Sequence, residues 1–348
     1  MEVLITGGQG FLGQELCRYL LRKGQLTNSA GEIQTIQRIV LFDNMPASQS
    51  AMNADPKVLV ETGDLTDAAT CRKLVEKLQG CISIFHLAGV MSGAAEKDFD
   101  LGLRVNLDAT RYLLDACRAR GGSPLPKFVF TSSLAVFGET YAEAGIPVGD
   151  TDKIVPKNTY GMTKACGELF VNDCTRKCFI DGRTARLPTV IVRPGKPNAA
   201  TTSCYSGVIR EPLHGVEAVL PIARNLPHPV TSTRALIANL VILHDAKWPA
   251  DRVDRALNLP SRPSSLQQLV DALYEVVPPS EVGQLGKIVD KEDEFLSRVV
   301  RSMGSHLSHD RAKELGMMEV PDMATVVREF LEDFGEKTVV SNKRQRLA

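Results

Sequence analysis

Short, largely apolar runs separated by longer amphipathic stretches constrain this fold more than any other feature of the sequence. The runs are Val3-Leu4-Ile5, Ile39-Val40-Leu41-Phe42, Val58-Leu59-Val60, Ile82-Ser83-Ile84-Phe85, Lys127-Phe128-Val129-Phe130 and Thr184-Ala185-Arg186-Leu187. Between them lie helical patterns: Leu12, Leu16, Tyr19 and Leu20 first, then residues 70–78, 102–120 and 160–175. A strand that is apolar on both faces must be covered on both, which calls for a parallel sheet between two helical layers. The expected fold is therefore α/β, a doubly wound parallel sheet over residues 1–187. A smaller substrate lobe is expected over residues 188–335, where the pattern loosens and Pro becomes frequent, with some segments returning to the core. Helices are expected over residues 234–244, 265–277 and 322–334, and Pro278-Pro279 ends the second. The polar, Gly-containing residues 24–37 read as a long surface loop. Residues 336–348, with Lys343, Arg344 and Arg346, read as a disordered, solvated tail rather than a targeting run.

Bulk composition removes several classes of function. Forty-one basic residues balance 41 acidic ones, so no overall charge draws the chain to nucleic acid or to an anionic membrane. No apolar run nears the roughly 20 residues that span a bilayer. The first strand begins at Met1, leaving no space ahead of it for a leader, and a cytoplasmic protein is expected. Eight cysteines form no CxxC pair. Cys174 and Cys178 lie one helical turn apart without a nearby His, so buried, reduced thiols are expected and no metal.

Thr6-Gly7-Gly8-Gln9-Gly10-Phe11-Leu12-Gly13 leaves the first strand and opens the first helix. Glycines at 7, 10 and 13 allow a tight turn and a close backbone approach, and the helix then points its first amides at a pyrophosphate. With the strand–turn–helix context, this predicts a Rossmann-type dinucleotide site formed by Gly7, Gly10, Phe11, Leu12 and Gly13. Asp43-Asn44 ends the second run, where a carboxylate can bond the adenosine ribose and repel a 2′-phosphate; the expected cofactor is NAD. The plainer role for Asp43 is to begin a turn. Asp64-Leu65 either brackets the adenine or starts a helix, with Asp64 or Thr66 as the cap. In His86-Leu87-Ala88-Gly89, the small residues let the chain pass beside the cofactor, and His86 reads as packed rather than catalytic.

Tyr160-Gly161-Met162-Thr163-Lys164 places a phenol and an ammonium on one helix face. The expectation is that Lys164 lowers the Tyr160 pKa toward working pH, so that the phenol exchanges a proton with an alcohol or carbonyl. Thr131-Ser132-Ser133 ends the strand upstream and offers a hydroxyl to the same oxygen, although serines can also simply terminate a strand.

The ordered set TGxxGxxG, strand-end Asp43, HLAG, TSS…VFG and YGxxK resembles the extended short-chain dehydrogenase/reductase superfamily over most of residues 1–195. The resemblance implies a Ser133–Tyr160–Lys164 catalytic set, with Ser133 rather than Ser132 as the matching serine. It also implies that Lys164 binds the nicotinamide ribose, that Asn106 supports the site through its helix, and that Thr131 lies beside the cofactor. Leu134-Ala135 stands where dehydratases of the superfamily carry an Asp-Glu pair, which argues against elimination. Residues 186–198 and 206–213 resemble the branch that oxidises the C2 hydroxyl of a D-erythronate-like sugar acid to the 2-keto acid. On that branch Thr189 and Asn198 would meet substrate, and Pro188 and Val190 would flank the nicotinamide. A sugar-acid carboxylate calls for an Arg clamp; Arg234 is the first candidate, followed by Arg193, Lys196 and Arg210. Many members pair as homodimers through the helices at residues 102–120 and 160–175. The alternatives are a nucleotide-sugar epimerase with bound NAD and a non-catalytic dinucleotide-sensing protein.

Overall fold

The computed structural model describes residues 1–46, 54–138, 146–196, 200–249, 252–301, 303 and 306–340. The first unit is β1 (Glu2–Thr6), buried along its whole length, and α1 (Phe11–Lys23). Leu16, Cys17 and Leu20 face inward on α1 at helical spacing, Arg22 and Lys23 complement the carboxyl end of its dipole, and Gly24 stops it at φ 71°. Residues 24–37, expected as a loop, instead form a hairpin of β2 (Gln25–Thr27) and β3 (Ile33–Thr35). Asn28 closes its turn by accepting from the amides of Ala30 and Glu32, while Leu26 and Ile36 are buried. With three residues per strand, too little alternation exists for a pattern to register.

The chain continues through β4 (Arg38–Asp43), β5 (Val58–Thr62), α2 (Ala68–Glu76) and β6 (Ile82–His86). Asp67, not Asp64 or Thr66, caps α2 by accepting from the amides of Ala69 and Thr70. After α3 (Ser92–Lys97) and α4 (Phe99–Gly102), a π-helical turn at Leu103–Asp108 leads into α5 (Ala109–Arg120). Then come β7 (Lys127–Ser133), α6 (Thr159–Arg176), capped by Asn158, and β8 (Asp181–Leu187).

The second half comprises β9 (Thr189–Ile191), α7 (Cys204–Leu213), β10 (Ala218–Leu220), β11 (His228–Ser232) and α8 (Thr233–Asp245). It continues with β12 (Ala256–Asn258), β13 (Arg262–Ser264), α9 (Leu266–Val276), β14 (Ile288–Asp290), α10 (Glu294–Arg301), α11 (Asp310–Glu314) and α12 (Met323–Phe334). Ser265 and Gln268 form a capping box on α9, and Asp322 caps α12.

Seven parallel strands form the central sheet in the order β12-β8-β7-β6-β1-β4-β5. Its apolar strands are covered on both faces, as their sequences require. One face packs α1 and α8 through Leu16, Leu20, Leu236 and Leu240; the other packs α2, α5 and α6 through Leu74, Leu113, Cys117 and Val171. Thus α8 and β12, although late in sequence, belong to the sheet layer. A separate apolar cluster joins α7, α9 and α12 through Ile209, Leu269, Leu273, Val327 and Phe330. The chain expected as the start of a disordered tail is placed as far as Val340: Gly335–Lys337 make a 3-10 turn and Val340 is buried in this cluster. Lys343, Arg344 and Arg346 lie outside the described residues.

All eight cysteines are free. Cys17, Cys71 and Cys117 are buried, whereas Cys178 is exposed. Among the described residues no group of His, Cys, Asp or Glu is arranged to hold a metal, and no helix is long and apolar enough to cross a membrane.

Candidate active site

Parallel strands deliver their carboxyl ends to one edge of the sheet, and ligands of open α/β sheets bind beyond that edge. Here the ends of β1, β4, β6 and β7 border a cleft of about 740 Å³ whose far wall comes from within residues 187–196 and 200–210. Gly7 makes the first turn at φ 69°, and a Cβ there would lie 2.9 Å from the Ala88 nitrogen. A Cβ on Gly13 would lie 2.4 Å from the Gly7 carbonyl oxygen. The glycines therefore let α1 seat against the loop and let Leu87-Ala88-Gly89 cross it at close range. Gly10 caps α1 without a side chain, and the first turn carries no acidic residue. The amino end of the helix dipole thus faces the cleft uncompensated, which suits an anion.

Asp43 fixes the next part of the wall. Its carboxylate accepts from the Gln9 amide at 3.0 Å and from the Met45 amide at 3.1 Å, so strand end and glycine loop are tied together. Asn44, Asp64 and Leu65 line the cleft beside it, with Asp64 accepting from the Thr66 amide. His86 is enclosed between the hydroxyls of Thr6, at 2.7 Å, and Thr110, at 3.0 Å. Burial pulls its pKa down to about 3, leaving a neutral structural ring. Asn106 does not line the cleft. Its side chain accepts from the Val90 amide and donates to the Val90 carbonyl, holding the segment after Gly89 in place.

Tyr160 and Lys164 project from the first turns of α6 into the cleft, where Ser133 also lies. Alternation along β7 separates the two serines. Ser133 faces the Tyr160 hydroxyl and favours its phenolate form, whereas the Ser132 hydroxyl points inward and donates to Glu168 at 2.5 Å. Lys164 donates to the Thr131 carbonyl at 2.9 Å, and its ammonium stands over the rings of Phe130, at 5.0 Å, and Tyr160, at 5.7 Å.

The expected acidification of Tyr160 is not what this geometry gives. Burial pushes the phenol up to about 12, with the Ser133 hydrogen bond acting in the opposite direction. Burial also brings the Lys164 ammonium down to about 8. The two side chains are close, as predicted, and burial is the largest cause of both shifts.

Pro188, Thr189 and Val190 line the wall opposite, with Arg193, Lys196 and Arg210 beyond them. Arg210 donates to the Arg193 carbonyl and pairs with Glu211. Among the described residues Arg193 has no carboxylate partner; its guanidinium stands 5.8 Å from the Phe11 ring centroid. Arg234, the first candidate for the carboxylate, is not in the cleft. It starts α8 on the outer surface and is paired with Asp333 and Glu332 of α12. Asn198 lies outside the described residues. The sequence reading missed Thr202, Ser206 and His228. The first two line the cleft; His228 holds Thr189 from behind, its Nε2 2.7 Å from the Thr189 hydroxyl. Ser206 lies in the segment 206–213 that marked the family branch, but nothing in that segment's spacing assigns it to the cleft; Thr202 and His228 reach the site only through the packing of α7 and β11.

The glycine cradle, the bare helix terminus and Asp43 at a neighbouring strand end fit NAD, the cofactor expected from the sequence. Comparison with known proteins agrees. The sequence model of the NAD dependent epimerase/dehydratase family matches residues 3–226. The chain is 41% identical over 337 residues to a D-erythronate dehydrogenase of Cupriavidus necator, covering 96% of this chain and 99% of that protein. It is 35% identical over 334 residues to a D-erythronate dehydrogenase of Haemophilus influenzae, covering 95% and 99% respectively. A solved structure named as the nucleoside-diphosphate-sugar epimerase from Agrobacterium tumefaciens matches with a TM-score of 0.84 at 33% identity, over 97% of this chain and 96% of that one.

Proposed function

This chain belongs to the NAD dependent epimerase/dehydratase family and is an NAD-dependent oxidoreductase, and from that premise we propose that it oxidises the C2 hydroxyl of a small, D-erythronate-like sugar acid to the 2-keto acid. One observation carries the reading: the hydroxyl pair of Ser133 and Tyr160 shares a cleft with Arg193, a cation that has no carboxylate partner among the described residues. The first two suit a reacting alcohol and the third suits a carboxylate. Two relatives aligned over nearly their full lengths are named D-erythronate dehydrogenases, which supports the substrate class.

Gly7, Gly10 and Gly13, with the first-turn amides of Phe11 and Leu12, would hold the NAD pyrophosphate. Asp43 and Asn44 would take the adenosine ribose, and Asp64 and Leu65 the adenine. Leu87, Ala88, Gly89 and Thr131 would border the cofactor, with Asn106 supporting them. Lys164 would bind the nicotinamide ribose, and Pro188 and Val190 would flank the ring. When bound, NAD supplies the hydride acceptor. The chain's own part is proton handling and placement. Ser133 and Tyr160 hold the C2 hydroxyl, and Tyr160 Oη takes its proton. Burial holds the phenol up at about 12, so Tyr160 must first release its own proton to solvent, and the phenolate is the form that accepts the C2 proton. Oxidation therefore depends on the groups that stabilise phenolate, the Ser133 hydroxyl and the Lys164 ammonium. Thr189 contacts the substrate hydroxyls, and Arg193, aided by Lys196 and Arg210, takes the carboxylate.

A screen of four-carbon aldonic acids, followed by NADH absorbance, tests the assignment: NADH must accumulate with a sugar acid. Tyr160→Phe should abolish that turnover while leaving NADH affinity unchanged, and near-normal kcat in the variant would overturn the mechanism. The similarity to a nucleoside-diphosphate-sugar epimerase motivates a second reading. Turnover of UDP-sugars without net NADH would favour it. A purely sensing role does not account for Tyr160, Lys164 and Ser133 gathered in the cleft. Pairing as a homodimer through α5 and α6 is also proposed: Leu169 is 66% and Phe170 38% exposed on α6, and sedimentation equilibrium would check it.

A further inference from the structure

The Thr189 hydroxyl is already engaged from behind. Parallel pairing sets Val230 beside Thr189 and brings His228, two residues earlier on β11, under the cleft wall. The His228 Nε2 lies 2.7 Å from Thr189 Oγ1, and Thr189 Oγ1 donates to Thr202 Oγ1 at 3.2 Å. Both threonines line the cleft that holds Ser133 and Tyr160. His228 itself is 0% exposed. Its ring stacks on Tyr205 with centroids 4.9 Å apart, and among the described residues its Nδ1 has no hydrogen-bond partner.

This arrangement selects a tautomer. Burial brings the His228 pKa down to about 3, so the ring carries one proton. On Nδ1 that proton would be a buried, unpaired N–H, which native proteins rarely tolerate. On Nε2 it is donated to Thr189, and only a lone pair goes unmet. Thr189 Oγ1, having accepted, spends its own proton on Thr202. Among the described residues Thr202 Oγ1 has no acceptor, so its proton is left for the cleft.

We propose that His228 is a positioning residue that orders these hydroxyls in one direction, Nε2–H to Thr189, Thr189 to Thr202 and Thr202 to the cleft, and so fixes Thr202 as a donor to a carboxylate or hydroxyl oxygen of the substrate. The proposal rests on the sugar-acid reading above and deepens it. A wall that presents a donor favours an oxygen acceptor and disfavours an ammonium at the same point, because a mismatched buried polar group loses its partner.

Two measurements test it. In the NAD-bound protein labelled with ¹⁵N-histidine, two-bond ¹H–¹⁵N correlation, assigned with His228→Gln, should show the Nε2–H tautomer for His228; the Nδ1–H pattern overturns the proposal. In kinetics, His228→Phe keeps an aromatic ring against Tyr205 but lacks the donor. Its KM for the sugar acid should rise about tenfold or more, with kcat changed less. His228→Gln, whose amide N–H reaches toward the Nε2 position, should restore KM to within about threefold of the original. Unchanged KM in His228→Phe overturns the proposal. So does a Gln variant as weak as the Phe variant while both bind NADH normally, since His228 would then serve packing alone. If the unaltered protein oxidises no sugar acid, the functional reading fails by itself, and the tautomer decides the hydroxyl order independently.

Discussion

Glu168→Leu should destabilise the protein by about 4 kcal/mol, because it leaves a guanidinium buried without its counterion. Glu168 is 1% and Arg186 3% exposed. Arg186 reaches both carboxylate oxygens, with Nε at 3.0 and 3.2 Å and a terminal nitrogen at 2.8 Å, and its other terminal nitrogen donates to the Asp150 carbonyl. The same carboxylate accepts from Ser132, so α6, β7 and β8 meet at one buried charge pair. Removing one partner of such a pair typically costs about 3–5 kcal/mol, and the orphaned Ser132 hydroxyl falls within the same loss. Against a total stability of about 5–15 kcal/mol the loss is severe. Replacing both members removes the stranded charge, so Glu168→Leu with Arg186→Met should be markedly more stable than Glu168→Leu alone. Urea unfolding followed by circular dichroism supplies the midpoints for the two variants and the parent. A loss below about 1 kcal/mol in the single variant, or a double variant no better than the single one, would refute the reasoning.

Arg234→Ala should leave KM for the sugar acid unchanged and cost about 1 kcal/mol or less, since its partners Asp333 and Glu332 form a half-exposed surface pair; a large rise in KM would return Arg234 to the substrate site. Lys127, which donates to the His244 carbonyl, is brought from 10.5 to about 8 by burial and by the nearby Arg183. At this group the folded chain binds fewer protons than the unfolded one between pH 8 and 10.5, so Lys127 contributes stability that grows with pH across that window, whereas the buried thiols of Cys17, Cys71, Cys117 and Cys204, pushed up from 9.0 to about 12, act in the opposite sense above pH 9. Lys164 acts in the same sense as Lys127, and the test is the difference between variant and parent: the urea midpoint of Lys127→Met should lose ground to the parent's as pH rises from 8 to 10.5. An identical pH profile in that variant would show that Lys127 is not depressed.

The parts of the site legible in the sequence are those whose meaning lies in local spacing. Gly7, Gly10 and Gly13 follow a strand and open a helix, and Asp43 ends the next strand. Tyr160 and Lys164 are one helical turn apart. Each needs only its own segment to be placed, and the parallel sheet brings the segments together. The choice of Ser133 over Ser132 came from the family resemblance, and the alternation of side chains along β7 gives its physical reason. What failed depended on distant partners. Arg234 was ranked above Arg193 because nothing nearby in sequence reveals that Asp333 and Glu332 neutralise it. His228 gave no signal because its neighbour Thr189 is reached only through strand pairing. The direction of the Tyr160 shift was not legible for a third reason: the sequence shows which charge is close but not how far the surrounding cleft wall desolvates the hydroxyl. The hairpin at residues 25–35 was lost because its strands are too short to display a period.

The π-helical turn at Leu103–Asp108 has a consequence for how this chain tolerates change. A regular helix advances about 100° per residue, and a π turn accommodates one residue more than an α turn. Here the surplus sits where the Asn106 amide grips both polar groups of Val90. Deleting a single residue from the turn would let the helix regularise and would rotate the amide out of reach of that strap. The length of this segment, as much as its composition, is thus part of what keeps the nucleotide groove in shape.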